Sequence, residues 1–148
     1  MTSQTLFAIA NPLALIGWIA LAFAPLAPRA VDLLVGWFLP AILSLGYAVV
    51  MLVHFADAPG GFQSLADVQS LFTDADVALA GWLHYLAFDL FIGAWMLRDA
   101  RVQGFAHWHV LPILPFVFAF GPAGFLAYVG LKLLRRGIPA PEGARRHG

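Results

Sequence analysis

No cysteine occurs anywhere in the chain, which removes disulfides, thiolate metal sites and thiol nucleophiles from consideration. Charge is scarce as well. Only 11% of the 148 residues are charged, against 61% hydrophobic, and the formal net charge is zero. A soluble domain carries about a quarter charged residues, so this is the composition of an integral membrane protein. A neutral balance offers no electrostatic footprint for nucleic acid. The single glutamate, Glu142, stands near the end of the sequence. Carboxylate chemistry within the apolar part therefore falls to aspartate.

What the chain does have is long apolar runs, at residues 5–27, 31–55, 77–97 and 109–134. Each is near or above the ~20 residues that cross a hydrocarbon core of about 30 Å. The expected fold is all-α, an integral membrane four-helix bundle over residues 1–136 followed by a polar tail at 137–148. The first run has no basic n-region and no cleavage pattern, and no Arg- and Ser-rich leader precedes it. It reads as a retained helix, and the expected location is a bacterial inner membrane.

The connections at 27–30 and 98–108 are short, with Pro25 and Pro28 at the first and Gly104 in the second. They require tight antiparallel turns. The middle connection, 56–76, carries Asp57, Asp67, Asp74 and Asp76 and no lysine or arginine. Within it Phe62, Leu65, Val68, Leu71 and Phe72 recur at helical spacing, and Ser64 pairs with Asp67 in capping register. This predicts a short interfacial helix, with Thr73 or Asp74 capping the third run. Small residues at Ala10/Ala14, Ala20/Ala24 and Ala123/Ala127 mark faces where helix backbones approach. A bend at the prolines of the fourth run is expected to open space near Gly121 and Gly124. Gly17-Trp18 matches Gly81-Trp82, and Pro40 to Gly46 matches Pro115 to Gly121 in spacing. Two related helix hairpins would produce that pattern, although glycine, proline and tryptophan are frequent in membrane helices anyway.

Four straight spans put both termini on one side with Lys132, Arg135, Arg136, Arg145 and Arg146, and leave Arg29, Arg98 and Arg101 on the other. The larger basic count favours both termini in the cytoplasm. At about 1.5 Å per residue, Asn11, His84 and Tyr128 fall in one layer some 10 Å below the terminal surface. His54 lies above that layer and Asp89 below it.

The most informative stretch is GWLHYLAFDLFIGAW at 81–95. An ionisable side chain costs about 2.5–3.5 kcal/mol at the centre of a membrane helix. A run that holds both His84 and Asp89 therefore points to an interior site or polar network. The two project about 140° apart on a helix of 3.6 residues per turn, so each needs a partner from another helix. As acid–base groups, His84 and Asp89 are the catalytic candidates. Asn11, His54 and Tyr128 are candidates for contact with a ligand. So is a second cluster, Arg98, Asp99, His107 and their neighbour Arg101, which suits an anionic headgroup or the polar end of a long ligand. As metal or haem ligands only His54 and His84 could converge. No His-x3-His pair exists, and His107 and His109 face different ways on a helix, so no metal and no cofactor is expected. The structural alternative is that His84 and Asp89 only tie helices together.

The 81–95 stretch, the following Asp99-Ala100, His107, and the run from Pro112 to Gly121-Pro122-Ala123-Gly124 together resemble the abscisic-acid-deficient-4-like membrane family. The likeness covers roughly residues 62–136 and singles out His84, Asp89, Asp99 and His107. Plant members of that family are plastid membrane proteins required to convert violaxanthin to neoxanthin. The resemblance implies a four-helix membrane protein connected with carotenoids. It leads to one expectation of isomerisation or epoxide rearrangement of an apolar polyene. The other expectation is a non-catalytic pigment- or lipid-binding protein, or a helper subunit of another membrane enzyme. Expected partners are a carotenoid-like ligand and membrane lipid, with a second copy of the chain or a partner membrane enzyme left open.

Overall fold

The computed structural model describes residues 2–136. The expected tail at 137–148 lies outside them. Among the described residues four helical segments are long and apolar enough to cross a membrane: Ser3–Ala22, Pro28–Asp57, Ala75–Val102 and His107–Arg135. The all-α, four-segment architecture is therefore the one expected. Helix α1 (Ser3–Ala22) starts at Thr2, whose hydroxyl accepts from the Thr5 N–H. It buries Ala10, Ala14 and Gly17, and a Cβ on Gly17 would press on the Leu90 and Leu39 side chains.

The second segment joins α2 (Pro28–Leu33) to α3 (Leu39–His54) through a π-helical turn at Leu34–Phe38. That wide turn comes just before Pro40, whose missing N–H and ring cannot be fitted into a regular ladder. Ser64 caps a short α4 (Leu65–Leu71) by accepting from the Asp67 N–H and donating to its carboxylate, as the sequence predicts. Asp74 accepts from the Asp76 and Val77 N–H groups and starts α5 (Ala75–Val102).

Helix α5 is the axle of the molecule. It packs against α1, α3 and the final helix, and buries Ala80, Leu83, Leu86, Ala87, Leu90, Ala94 and Met96. Past its end Gly104 adopts φ +71°, and the Phe105 N–H reaches back to the Ala100 carbonyl at 2.8 Å. This left-handed reversal is strained for any residue with a Cβ. A short α6 (His107–Val110) and a turn at Leu111–Ile113 lead into α7 (Leu114–Arg136).

The fourth segment corrects the straight-span expectation. Phe120 leaves helical geometry at φ −145°, ψ 46°, directly before Gly121-Pro122. Pro122 supplies no N–H to the Phe118 carbonyl four residues back, and its ring crowds that carbonyl, so the helical ladder cannot run through this point. The chain reverses at this point. Residues 114–119 descend along α1, and residues 121–136 climb back beside α5. On the way up, Phe125 meets Trp95, Tyr128 bonds Asp99, and Arg135 donates to the Gly104 carbonyl at 3.0 Å.

The helical hairpin thus enters and leaves at the Gly104 end. The last described residues lie opposite Ser3, so the reading that both ends share one side does not hold among the described residues. Nor is there open space at the bend. A Cβ on Gly121 would fall on the Asp89 carboxylate, and one on Gly124 would overlap the Val117 backbone. Ala123 and Ala127 face outward, while Gly121, Gly124 and Tyr128 face inward. The two segments that share the Pro-to-Gly spacing therefore differ in shape, one continuous and one doubled back.

Candidate functional site

Asp89 is the one buried polar or charged residue in the described core, 8% exposed. It sits midway along α5 and faces the hairpin tip at Gly121. Its Oδ2 has no hydrogen-bond partner among the described residues. One turn earlier on the same face, the Tyr85 hydroxyl donates to the Phe118 carbonyl at 2.6 Å. That carbonyl is the one Pro122 leaves without its helical donor, so Tyr85 satisfies a group exposed by the break. Tyr85 also stacks on Trp82, and Trp82 Nε1 donates to Asn11 Oδ1 at 2.9 Å. A polar line thus runs from α1 through α5 to the hairpin tip.

An apolar groove of about 560 Å³ lies beside this tip, between α1 and the descending arm, with Leu15, Trp18, Ala22, Leu111, Pro115 and Phe118 among its walls. Phe118 belongs to both features. Its side chain lines the groove, and its carbonyl receives Tyr85. Trp18 holds the Phe118 ring edge-on at 5.6 Å. Closer to the Gly104 end, His107 Nε2 sits 2.9 Å from the Ala22 carbonyl, near the upper part of the groove.

The remaining candidates divide between the two ends. Tyr128 does not join Asn11 and His84 in a layer, because the doubled-back arm carries it to Asp99. There its hydroxyl donates to Oδ2 at 2.6 Å, and Lys132 Nζ makes a second contact of 2.6 Å to the same oxygen. Arg98 lies 3.3 Å from Asp32 and over the Trp37 ring, with Arg101 4.0 Å from Asp32. At the opposite end His54 pairs with Asp76 at 3.3 Å, and Asp76 also accepts from Ser3. His84 is exposed on the outer face of α5, stacked on Phe88 and near Tyr47. It shares no site with Asp89 or His54. No group of three or more metal-ligating side chains comes together among the described residues.

Tyr85, Lys132 and Gly121 went unremarked as site residues in the sequence reading. The first was legible: Tyr85 and Asp89, four apart, must share a face of a helix. Lys132 and Gly121 come into place only through the reversal at Phe120.

A buried carboxylate met by a broken helix, in a chain of long apolar segments, defines a multi-pass membrane protein with an intramembrane polar site. More particularly, the chain belongs to the ABA DEFICIENT 4-like family, whose model matches residues 5–128. No match was found among curated proteins or among solved structures.

Proposed function

We propose that the protein binds a long apolar polyene of the carotenoid kind in the groove between α1 and the descending arm, and isomerises it at Asp89. The observation that carries this reading is the buried Asp89 carboxyl with its unpartnered Oδ2, one turn from Tyr85, whose bond to the Phe118 carbonyl links it to a groove with almost wholly apolar walls. An ionisable group kept in a long apolar segment at such cost is a functional-site candidate by default.

An epoxide rearrangement needs one acid and one base and leaves mass unchanged. Protonated Asp89 gives its proton to the epoxide oxygen as the C–O bond opens. The resulting carboxylate then removes a proton from the neighbouring carbon, forming the new C=C bond and restoring the acid. Tyr85, one turn away, donates to the Phe118 carbonyl and ties the helix that carries the acid to the hairpin tip. His84, on the opposite face, takes no part.

The test is expression in a host that makes cyclic and epoxidised carotenoids. The wild-type chain should alter the isomer profile and copurify with pigment. Asp89→Asn should lower conversion about 100-fold or more, the scale of a lost acid–base group, while pigment still copurifies. Pigment binding without conversion by the wild type would favour the binding-protein reading. No conversion and no bound pigment across several carotenoid backgrounds would remove both.

A further inference from the structure

Once the fourth segment doubles back, the charges sort by end. Arg29, Arg98, Arg101, Lys132 and Arg135 all stand at the Gly104 end, where among the described residues only Asp32 and Asp99 answer them. The other end holds Asp57, Asp67, Asp74 and Asp76 and no lysine or arginine among the described residues. We infer that the Gly104 end rests on the anionic headgroups of the cytoplasmic leaflet, with Ser3 and the 56–76 segment on the far side.

Three observations support this assignment. Cytoplasmic connections close to membrane helices carry the excess of Lys and Arg, while acidic residues contribute little to orientation. The five cations lie at or near helix ends, which is where that bias acts. Arg98 and Lys132 are paired with Asp32 and Asp99, but Arg29 and Arg101 are not closely neutralised among the described residues. Arg29 is exposed, and the Arg101 side chain remains 47% exposed at 4.0 Å from Asp32, leaving both for phosphate oxygens within reach of the surface potential. Trp108, 68% exposed, stands at the same end in the position of an interface anchor. The inference is independent of what occupies the groove.

The chain's lack of cysteine makes single-cysteine labelling a clean test. Ser64→Cys, Gln103→Cys and Ala140→Cys variants would be expressed in a bacterial inner membrane and treated with a membrane-impermeant maleimide after outer-membrane permeabilisation. Ser64→Cys should label in intact cells, and Gln103→Cys and Ala140→Cys only after lysis. Labelling of Ala140→Cys together with Ser64→Cys in intact cells would overturn the doubled-back geometry. Protection of Ser64→Cys with labelling of Gln103→Cys would overturn the orientation. A charge exchange tests the cause: Arg29→Glu and Arg101→Glu combined with Gln63→Lys and Ala66→Lys should move a measurable fraction of the protein to the reversed pattern. An unchanged pattern would show that these cations do not seat the protein on the anionic leaflet.

Discussion

Asp89 and Gly121 fit because one lacks what the other projects. A methyl group at position 121 would sit where the Asp89 carboxylate now lies, and over-packing of this kind typically costs 1–3 kcal/mol. Gly121→Ala should therefore lower thermal stability in detergent. Asp89→Ala should cost stability less in the Gly121→Ala background than alone, because the side chain it removes is the one that clashes. The four-member cycle of melting curves should show a coupling of about 1 kcal/mol or more, the range for residues in direct contact. Additive losses would mean that the two are not neighbours. Asp89 itself was legible from the sequence, as a charge alone in an apolar run. Its partner was not, since nothing in linear spacing brings residue 121 to residue 89 unless the chain turns back.

At the scale of the elements, the ascending arm at 121–136 is fastened by few polar contacts. Lys132 and Tyr128 both reach Asp99, and Arg135 reaches the Gly104 carbonyl while its guanidinium lies 4.3 Å from the centre of the Phe105 ring. Lys132→Met removes a charged hydrogen bond, with a loss on the order of 1.5–3 kcal/mol, and leaves Asp99 with Tyr128 alone. Hydrogen exchange should quicken in peptides from 125–136 and stay unchanged in α1 and α3. A uniform rise across all helices would show that the arm is not an independently opening unit.

The break itself makes a second prediction. Pro122→Ala restores an N–H that can reach the Phe118 carbonyl. Tyr85→Phe should then destabilise the Pro122→Ala protein less than the wild type, by about the 0.5–1.5 kcal/mol of one hydrogen bond. Equal losses in the two backgrounds would separate Tyr85 from the break. The helix starts at Thr2, Ser64 and Asp74 all rest on local side-chain chemistry. The caps at Ser64 and Asp74 could accordingly be read from spacing. The turn at Phe120 depends on what lies beneath it. Hydropathy measures the length of an apolar run and says nothing of its direction, so depth arithmetic assigned Tyr128 to the wrong end.

For the molecule as a whole, the hairpin bears on the order in which the protein is made. Lipid offers no donors or acceptors to an interrupted backbone, so the tip at 118–122 is tolerable at membrane depth only when protein surrounds it. Tyr85 and Asp89 on α5 and Trp18 on α1 form that surrounding, and all three precede the hairpin in the chain. Synthesis thus delivers a docking cradle before the segment that requires it. A nascent chain stalled short of residue 107 should already be a membrane-embedded three-span intermediate, whereas the hairpin alone, fused behind an unrelated anchor, should be rejected by the bilayer and degraded.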